Sequence, residues 1–132
     1  MHTPVEEKRR HVRVPIESVT VEVYSPEGDL DHPEICSILN ISEAGMLYDC
    51  SQRYAPPQAL RLTFMLPDSI VIIRTDAVVV HAYRQGDSSC IGVRFVKLDS
   101  AERSAIKRFV QKVMHDTEAR LSPRVSMKPP NN

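Results

Sequence analysis

The feature that most constrains the fold is a period-two alternation of apolar and polar residues, which recurs in short segments separated by turn-forming residues. In residues 16–24 (IESVTVEVY), Val19, Val21 and Val23 share one face and polar residues occupy the other. This alternation is typical of a strand that buries one face. Pro, Gly and Asp in residues 25–31 favour the turn that follows. The chain therefore begins as a half-buried strand followed by a turn.

Four further segments extend this pattern. Residues 34–39 predict a strand with Ile35, Cys36 and Ile38 inward; residues 40–45 interrupt it, and an extended pattern resumes at residue 46. In residues 59–66, Leu60, Leu62 and Phe64 alternate with Arg61, Thr63 and Met65. Residues 70–84 predict either two strands or one bent strand with a bulge, with the β-branched residues from 72 to 80 in the core. Residues 88–98 predict the last strand.

One C-terminal segment has helical rather than alternating spacing. Asp99 is a suitable N-cap, and Glu102 completes a capping box. Apolar residues at 106, 109, 110 and 113 then form one face. Five or six short strands without interleaved helices, followed by one helix, predict an all-β antiparallel sandwich or barrel with the helix packed against it.

Composition excludes several classes of function. Lys plus Arg and Asp plus Glu each number 17, so no overall charge attracts DNA, RNA or an anionic membrane. Cys36, Cys50 and Cys90 lack CxxC spacing, which argues against disulfides and structural zinc. The N-terminus has no signal-peptide pattern, and the longest apolar run, residues 77–80, is too short to span a bilayer. We expect a cytoplasmic protein without metal or cofactor, and no spacing of residues predicts an enzyme.

A basic cluster supplies the local anion site that the neutral composition lacks. Lys8, Arg9, Arg10 and Arg13 fall within residues 8–13. Guanidinium groups bind phosphate in a bidentate manner and stack on bases, so this segment suits a phosphate-bearing nucleotide. The alternative is a solvated basic patch balanced by the two acidic residues before it.

A polar turn at residues 40–45 (NISEAG) is the second candidate. Asn40 can donate to and accept from a base edge, and Ser42 can reach a phosphate or a base. Gly45 would allow a ligand to approach the backbone closely. Taken alone, the segment is also compatible with an ordinary turn.

Together the two segments resemble motifs of the PilZ domain family. Residues 9–13 (RRHVR) resemble the family's RxxxR element, residues 40–45 its D/NxSxxG element, and residues 92–95 (GVRF) its closing strand. The resemblance implies a six-stranded antiparallel PilZ-type β-barrel with a C-terminal α-helix. We expect the PilZ domain to span residues 8–115 after a flexible leader (1–7). Residues 116–132 are polar, contain prolines and lack apolar periodicity, which predicts a disordered tail.

The same resemblance implies a receptor for cyclic di-GMP, a second messenger with two guanines and two phosphates. Arg9 and Arg13 would hold phosphate and guanine, with Arg10 assisting. Asn40 and Ser42 would hydrogen-bond guanine and phosphate, and Gly45 would keep the turn open. The ligand would order the arginine arm over the barrel and so present a new surface to a downstream protein partner.

Three alternatives remain at this stage. A PilZ-like module could work through protein contacts without any nucleotide. General nucleic-acid binding is opposed by zero net charge and by few aromatic residues, and an enzyme is opposed by the lack of a catalytic arrangement.

Overall fold

The computed structural model describes residues 11–26 and 32–121, and in this part of the chain seven strands precede one helix. The strands are β1 (Val14–Pro15), β2 (Thr20–Tyr24), β3 (Glu34–Ile41), β4 (Gly45–Cys50), β5 (Ala59–Met65), β6 (Ile72–Gln85) and β7 (Ser88–Phe95). The helix, α1, spans Ser100–Leu121.

The strands close into an antiparallel barrel. Their order is β1-β3-β2-β5-β6-β7-β4, and an additional β3–β4 pairing joins the ends. Strands β2 to β7 therefore form a six-stranded barrel, as predicted, and β1 is an extra strand. It shares an edge of β3 with β2: β2 pairs with residues 34–37 and β1 with Asn40 and Ile41.

The barrel interior is filled by alternate residues of each strand. Leu60, Leu62 and Phe64 are buried as the alternation predicts, and full burial of such a side chain contributes about 1.5–3 kcal/mol. The prediction for Ile35 was wrong, because its side chain is 57% exposed while Cys36 and Ile38 are buried. Period two allows only one of two neighbouring residues to face inward.

Strand β6 settles the choice left open by the sequence, because it is one continuous strand with a bulge. Its register with β7 shifts between Val79 and His81. Not all of its β-branched residues are in the core: Ile73 and Val79 are buried, whereas Ile72 and Val80 are each 46% exposed. The strand alternates, so its outward positions remain on the surface.

The predicted capping box starts helix α1 and also ties it to the barrel. The Glu102 backbone N–H donates to Asp99 Oδ1 at 2.7 Å, and the Asp99 N–H donates to Glu102 Oε1 at 3.0 Å. The other carboxylate oxygen of Glu102 accepts the Arg74 N–H of β6 at 2.9 Å. Ile106 and Val110 then pack on the barrel core.

The helix continues to Leu121, so residues 116–121 are helical and not part of a disordered tail. This segment is exposed up to Ala119 and has no apolar face, which is why periodicity gave no signal. Its residues have ordinary helix propensity, and Pro123 disfavours helical geometry at the residue before it. Residues 1–7 and 122–132 lie outside the described residues. Within the described part, no helix is both long and apolar enough to cross a bilayer.

Candidate ligand-binding site

The predicted site residues that the structure describes, Arg13, Asn40, Ser42 and Gly45, lie where β1 meets the end of β3. Val14 pairs with Ile41 and Pro15 with Asn40, so this antiparallel register brings Arg13 beside Ser42. Arg13 is exposed. Arg9 and Arg10 lie outside the described residues, so their predicted roles stay predictions.

Ser42 builds the turn between β3 and β4. Its backbone N–H donates to Gly45 O at 2.9 Å, and its Oγ accepts the N–H groups of Ala44 at 3.1 Å and Gly45 at 3.3 Å. The side chain is buried. A serine at this position is therefore required by the turn itself, whatever a ligand does there.

Gly45 is required by the approach of two strands. A Cβ atom at this position would lie 2.0 Å from the carbonyl oxygen of Val93 in β7. The residue pairs with Arg94 at the start of β4. Close backbone packing is thus sufficient to explain the glycine, and the predicted role of Gly45 toward a ligand stays a prediction.

Asn40 has an unsatisfied polar atom. Its Oδ1 is buried and has no hydrogen-bond partner among the described residues. Its β1 partner, Pro15, has no backbone N–H to offer. Because an unpaired buried acceptor costs about 1–3 kcal/mol, a group that supplies a donor here would be stabilised.

A cavity of about 210 Å³ opens in front of this turn. Three predicted residues, Arg13, Ser42 and Gly45, contribute to its wall, and Asn40 does not. The remaining wall comes from the turn and strands β4, β6 and β7: Ala44, Met46, Leu47, Val80, His81, Gly92, Val93 and Arg94.

The cavity has a cationic rim. Arg13 and Arg94 are both exposed and form no ion pair within the part of the chain that is described. Two guanidinium groups that line one small cavity and form no ion pair among the described residues favour an anion that can accept two hydrogen bonds from each. The arrangement can therefore bind a phosphate-bearing ligand in a chain whose net charge is zero.

His81, Val80 and Arg94 were not identified from the sequence. They are brought to the site by the pairing of β6 with β7 and of β7 with β4. The sequence placed Arg94 in the closing strand and His81 on a strand, but no local motif marks either as a ligand contact.

A second cluster of polar groups lies elsewhere in the barrel, at Glu34, Cys36 and Cys50, whose side-chain atoms fall within 4.8 Å of one another. The Glu34 carboxylate already accepts hydrogen bonds from Ser51 N–H and Oγ, from the Gln52 N–H and from the Tyr54 hydroxyl. A hydrogen bond with Cys50 and burial raise the pKa of the Cys36 thiol. These contacts hold the segment after β4 against β3.

The fold and the cavity thus define a small antiparallel barrel domain with a cavity lined by two arginines, Arg13 and Arg94. A family model, the PilZ domain, matches residues 7–112. Since the match covers well over half of the chain, this protein belongs to the PilZ domain family. No curated protein matches the chain significantly.

Solved structures share this fold. YcgR of Escherichia coli in complex with c-di-GMP superposes with a TM-score of 0.68 at 11% identity, over 90% of this chain and 51% of that one. MotI/DgrA, the inhibitor of motility of Bacillus subtilis, superposes with a TM-score of 0.62 at 18% identity, over 88% of this chain and 53% of that one. The PilZ domain of YcgR from Escherichia coli with c-di-GMP superposes with a TM-score of 0.60 at 11% identity, over 88% of this chain and 98% of that one. The chain spans about half the length of the first two proteins.

Proposed function

We propose that this protein is a cyclic di-GMP receptor that acts as a signalling module rather than as an enzyme. The observation that carries the proposal is the cavity in which Arg13 faces the turn at Ser42 to Gly45. Membership of the PilZ family supports it, as does the fold shared with YcgR, which was solved with this ligand.

In this proposal the ligand binds through its phosphates and guanines. Arg13 holds a phosphate, together with Arg9 and with assistance from Arg10. The Asn40 amide hydrogen-bonds a guanine edge once its side chain turns toward the ligand, which relieves its unpaired oxygen. No cofactor takes part.

The proposed output is a switch. Without ligand, the arginines of the arm repel one another; the phosphates neutralise that repulsion and fold the arm against the barrel. The ordered arm presents a new surface to a downstream protein, which carries the effect in the cell.

One observation favours a second candidate, a barrel that recognises proteins without a nucleotide. Ser42 and Gly45 both have structural tasks in the turn and in the β4–β7 contact. Their presence is therefore expected even in a domain without ligand. Arg13, which has no structural partner among the described residues, distinguishes the two candidates.

The test is calorimetric titration of the purified protein with cyclic di-GMP. We expect saturable binding that Arg13→Ala weakens about tenfold or more, because one charge-assisted hydrogen bond contributes about 1.5–3 kcal/mol. Asn40→Ala should also weaken binding. Arg103→Ala is the matched control, since Arg103 is exposed on α1 and does not line the cavity.

Amide NMR during the same titration tests the switch separately. We expect residues 9–13 and 40–45 to shift and the arm to become protected from exchange. Absence of heat and of shifts would exclude the receptor. Binding without a change in the arm would support the receptor role and exclude the proposed ordering of the arm.

A further inference from the structure

The bulge in β6 determines which way His81 points. Up to Val79 the strand keeps strict period two, with residues 73, 75, 77 and 79 buried. Continuing that period would place His81 inside the barrel. Instead Val79 pairs with Val93 and His81 with Gly92, so Val80 is one extra residue. The insertion turns His81 to the outer surface, where it is exposed and lines the cavity.

Gly92 provides the space in which the His81 ring lies. A Cβ atom on Gly92 would be 2.4 Å from Nε2, 2.5 Å from Cε1 and 2.9 Å from Cδ2 of the imidazole. No side chain can occupy position 92 unless this ring moves. Glycine weakens the interior of a strand and marks a place where another group approaches closely; here that group is an exposed ring.

A second ring extends this surface. Tyr83 stacks beside His81 with centroids 6.2 Å apart and planes inclined by 18°. The two nearly parallel rings lie on the outside of β6, where Tyr83 is 50% exposed. A planar, partly exposed surface of this kind is suited to stacking with a nucleobase.

The position of this surface relative to the charges defines the ligand class. His81 lines the same cavity as Arg13 and Arg94. A flat ring that shares a cavity with two guanidinium groups, neither in an ion pair among the described residues, matches a molecule in which a planar base is linked to phosphate.

We infer that one guanine base of the ligand stacks on the His81 imidazole, which lies in the space left by the missing side chain of Gly92. The inference rests on the proposed function and adds to it a base-binding residue and the reason for a glycine in β7.

Three variants test the contribution of the ring by titration with cyclic di-GMP. His81→Ala should weaken binding about tenfold, as expected for the loss of one stacked base. His81→Phe keeps a flat ring and should bind within about threefold of the unaltered protein, a rescue that a loss of fold would not give. His115→Ala removes an exposed histidine of α1 and should have no effect.

The chain contains no tryptophan, so His81→Trp introduces a single fluorescent reporter at the proposed contact. Stacking of guanine on the indole should quench its emission on titration with cyclic di-GMP. Gly92→Ala, which displaces the ring without removing it, should weaken binding as His81→Ala does. Its thermal unfolding measured in parallel separates displacement from loss of fold.

The outcomes separate this inference from the proposal beneath it. If the unaltered protein binds cyclic di-GMP and His81→Ala binds equally well, or the tryptophan is not quenched, the stacking role is wrong while the receptor stands. If the unaltered protein does not bind at all, both are wrong.

Discussion

Two of the motif residues, Ser42 and Gly45, stabilise the turn and the β4–β7 contact, which the motif alone does not reveal. Ser42 accepts the backbone N–H groups of the turn, and Gly45 lies against the backbone of β7. Substitutions there therefore change stability as well as any affinity. Arg13 is the cleaner position for testing ligand binding, because it is exposed and has no partner among the described residues.

Two glycines that are required for different reasons provide a matched comparison. Gly45→Ala places a Cβ atom 2.0 Å from a backbone oxygen, so strands must separate. We expect it to lower the free energy of unfolding by about 3 kcal/mol, the upper part of the range for overpacking. Gly86→Ala meets nothing within 4 Å but has a φ of +67°. It should cost about 1–2 kcal/mol.

Urea denaturation of both variants checks this prediction. Equal losses of stability would contradict the view that Gly45 is fixed by packing and Gly86 by backbone angle.

Some residues of the cavity could be identified from the sequence and others could not, for a physical reason. Arg13, Ser42 and Gly45 belong to short local motifs and do line the cavity. His81 was interpreted as an ordinary strand residue, because its exposure depends on a bulge whose position is set by pairing with β7. Pairing between strands is not readable from either strand alone.

Among the secondary-structure elements, helix α1 depends on one carboxylate for two connections. Glu102 closes the capping box and also accepts the backbone N–H of Arg74 in β6. The start of the helix is thereby fixed on the barrel wall.

This double role predicts a ranking of two variants. Asp99→Ala removes only the cap and should cost about 1 kcal/mol of unfolding free energy. Glu102→Ala removes the reciprocal bond and the bond to β6 and should cost about 2–3 kcal/mol, since the backbone N–H groups of Asp99 and Arg74 both lose a carboxylate partner. Thermal denaturation, with hydrogen exchange at the first turn of α1, provides the measurement. A larger effect of Asp99→Ala would show that the tie to β6 is unimportant.

Boundaries were the less predictable aspect of the elements. The N-terminus of α1 was predicted correctly because Asp99 and Glu102 form a local signal. Its C-terminus was placed too early, because residues 116–119 are exposed and carry no apolar pattern. Alternation and turns predicted five or six main strands, whereas their order in the sheet and closure by the β3–β4 pairing required the structure.

For the molecule as a whole, stability should depend on pH through a buried thiol. A hydrogen bond with Cys50 and burial raise the pKa of Cys36 in the folded state. The unfolded thiol ionises above about pH 8.5 while the folded thiol stays neutral. Stability is therefore complete below that pH, and the free energy of unfolding falls by up to about 1.4 kcal/mol per pH unit above it.

Urea denaturation at about pH 7 and pH 9.5 measures this loss. Cys36→Ala should show a shallower decline over the same interval, whatever its stability at neutral pH. Identical slopes in the two proteins would rule out Cys36 as the source.

The closed barrel also restricts how a partner protein could bind this protein. Each strand from β2 to β7 has a neighbour on both sides, and the extra strand β1 is two residues long and ends in Pro15, which has no N–H to donate. Within the described residues, the sheet thus offers no long vacant row of backbone groups for an added strand. A partner that contacts the barrel wall must therefore do so through side chains rather than by adding a strand. Partner choice could then be redesigned by surface substitutions that leave the hydrogen bonds of the sheet intact.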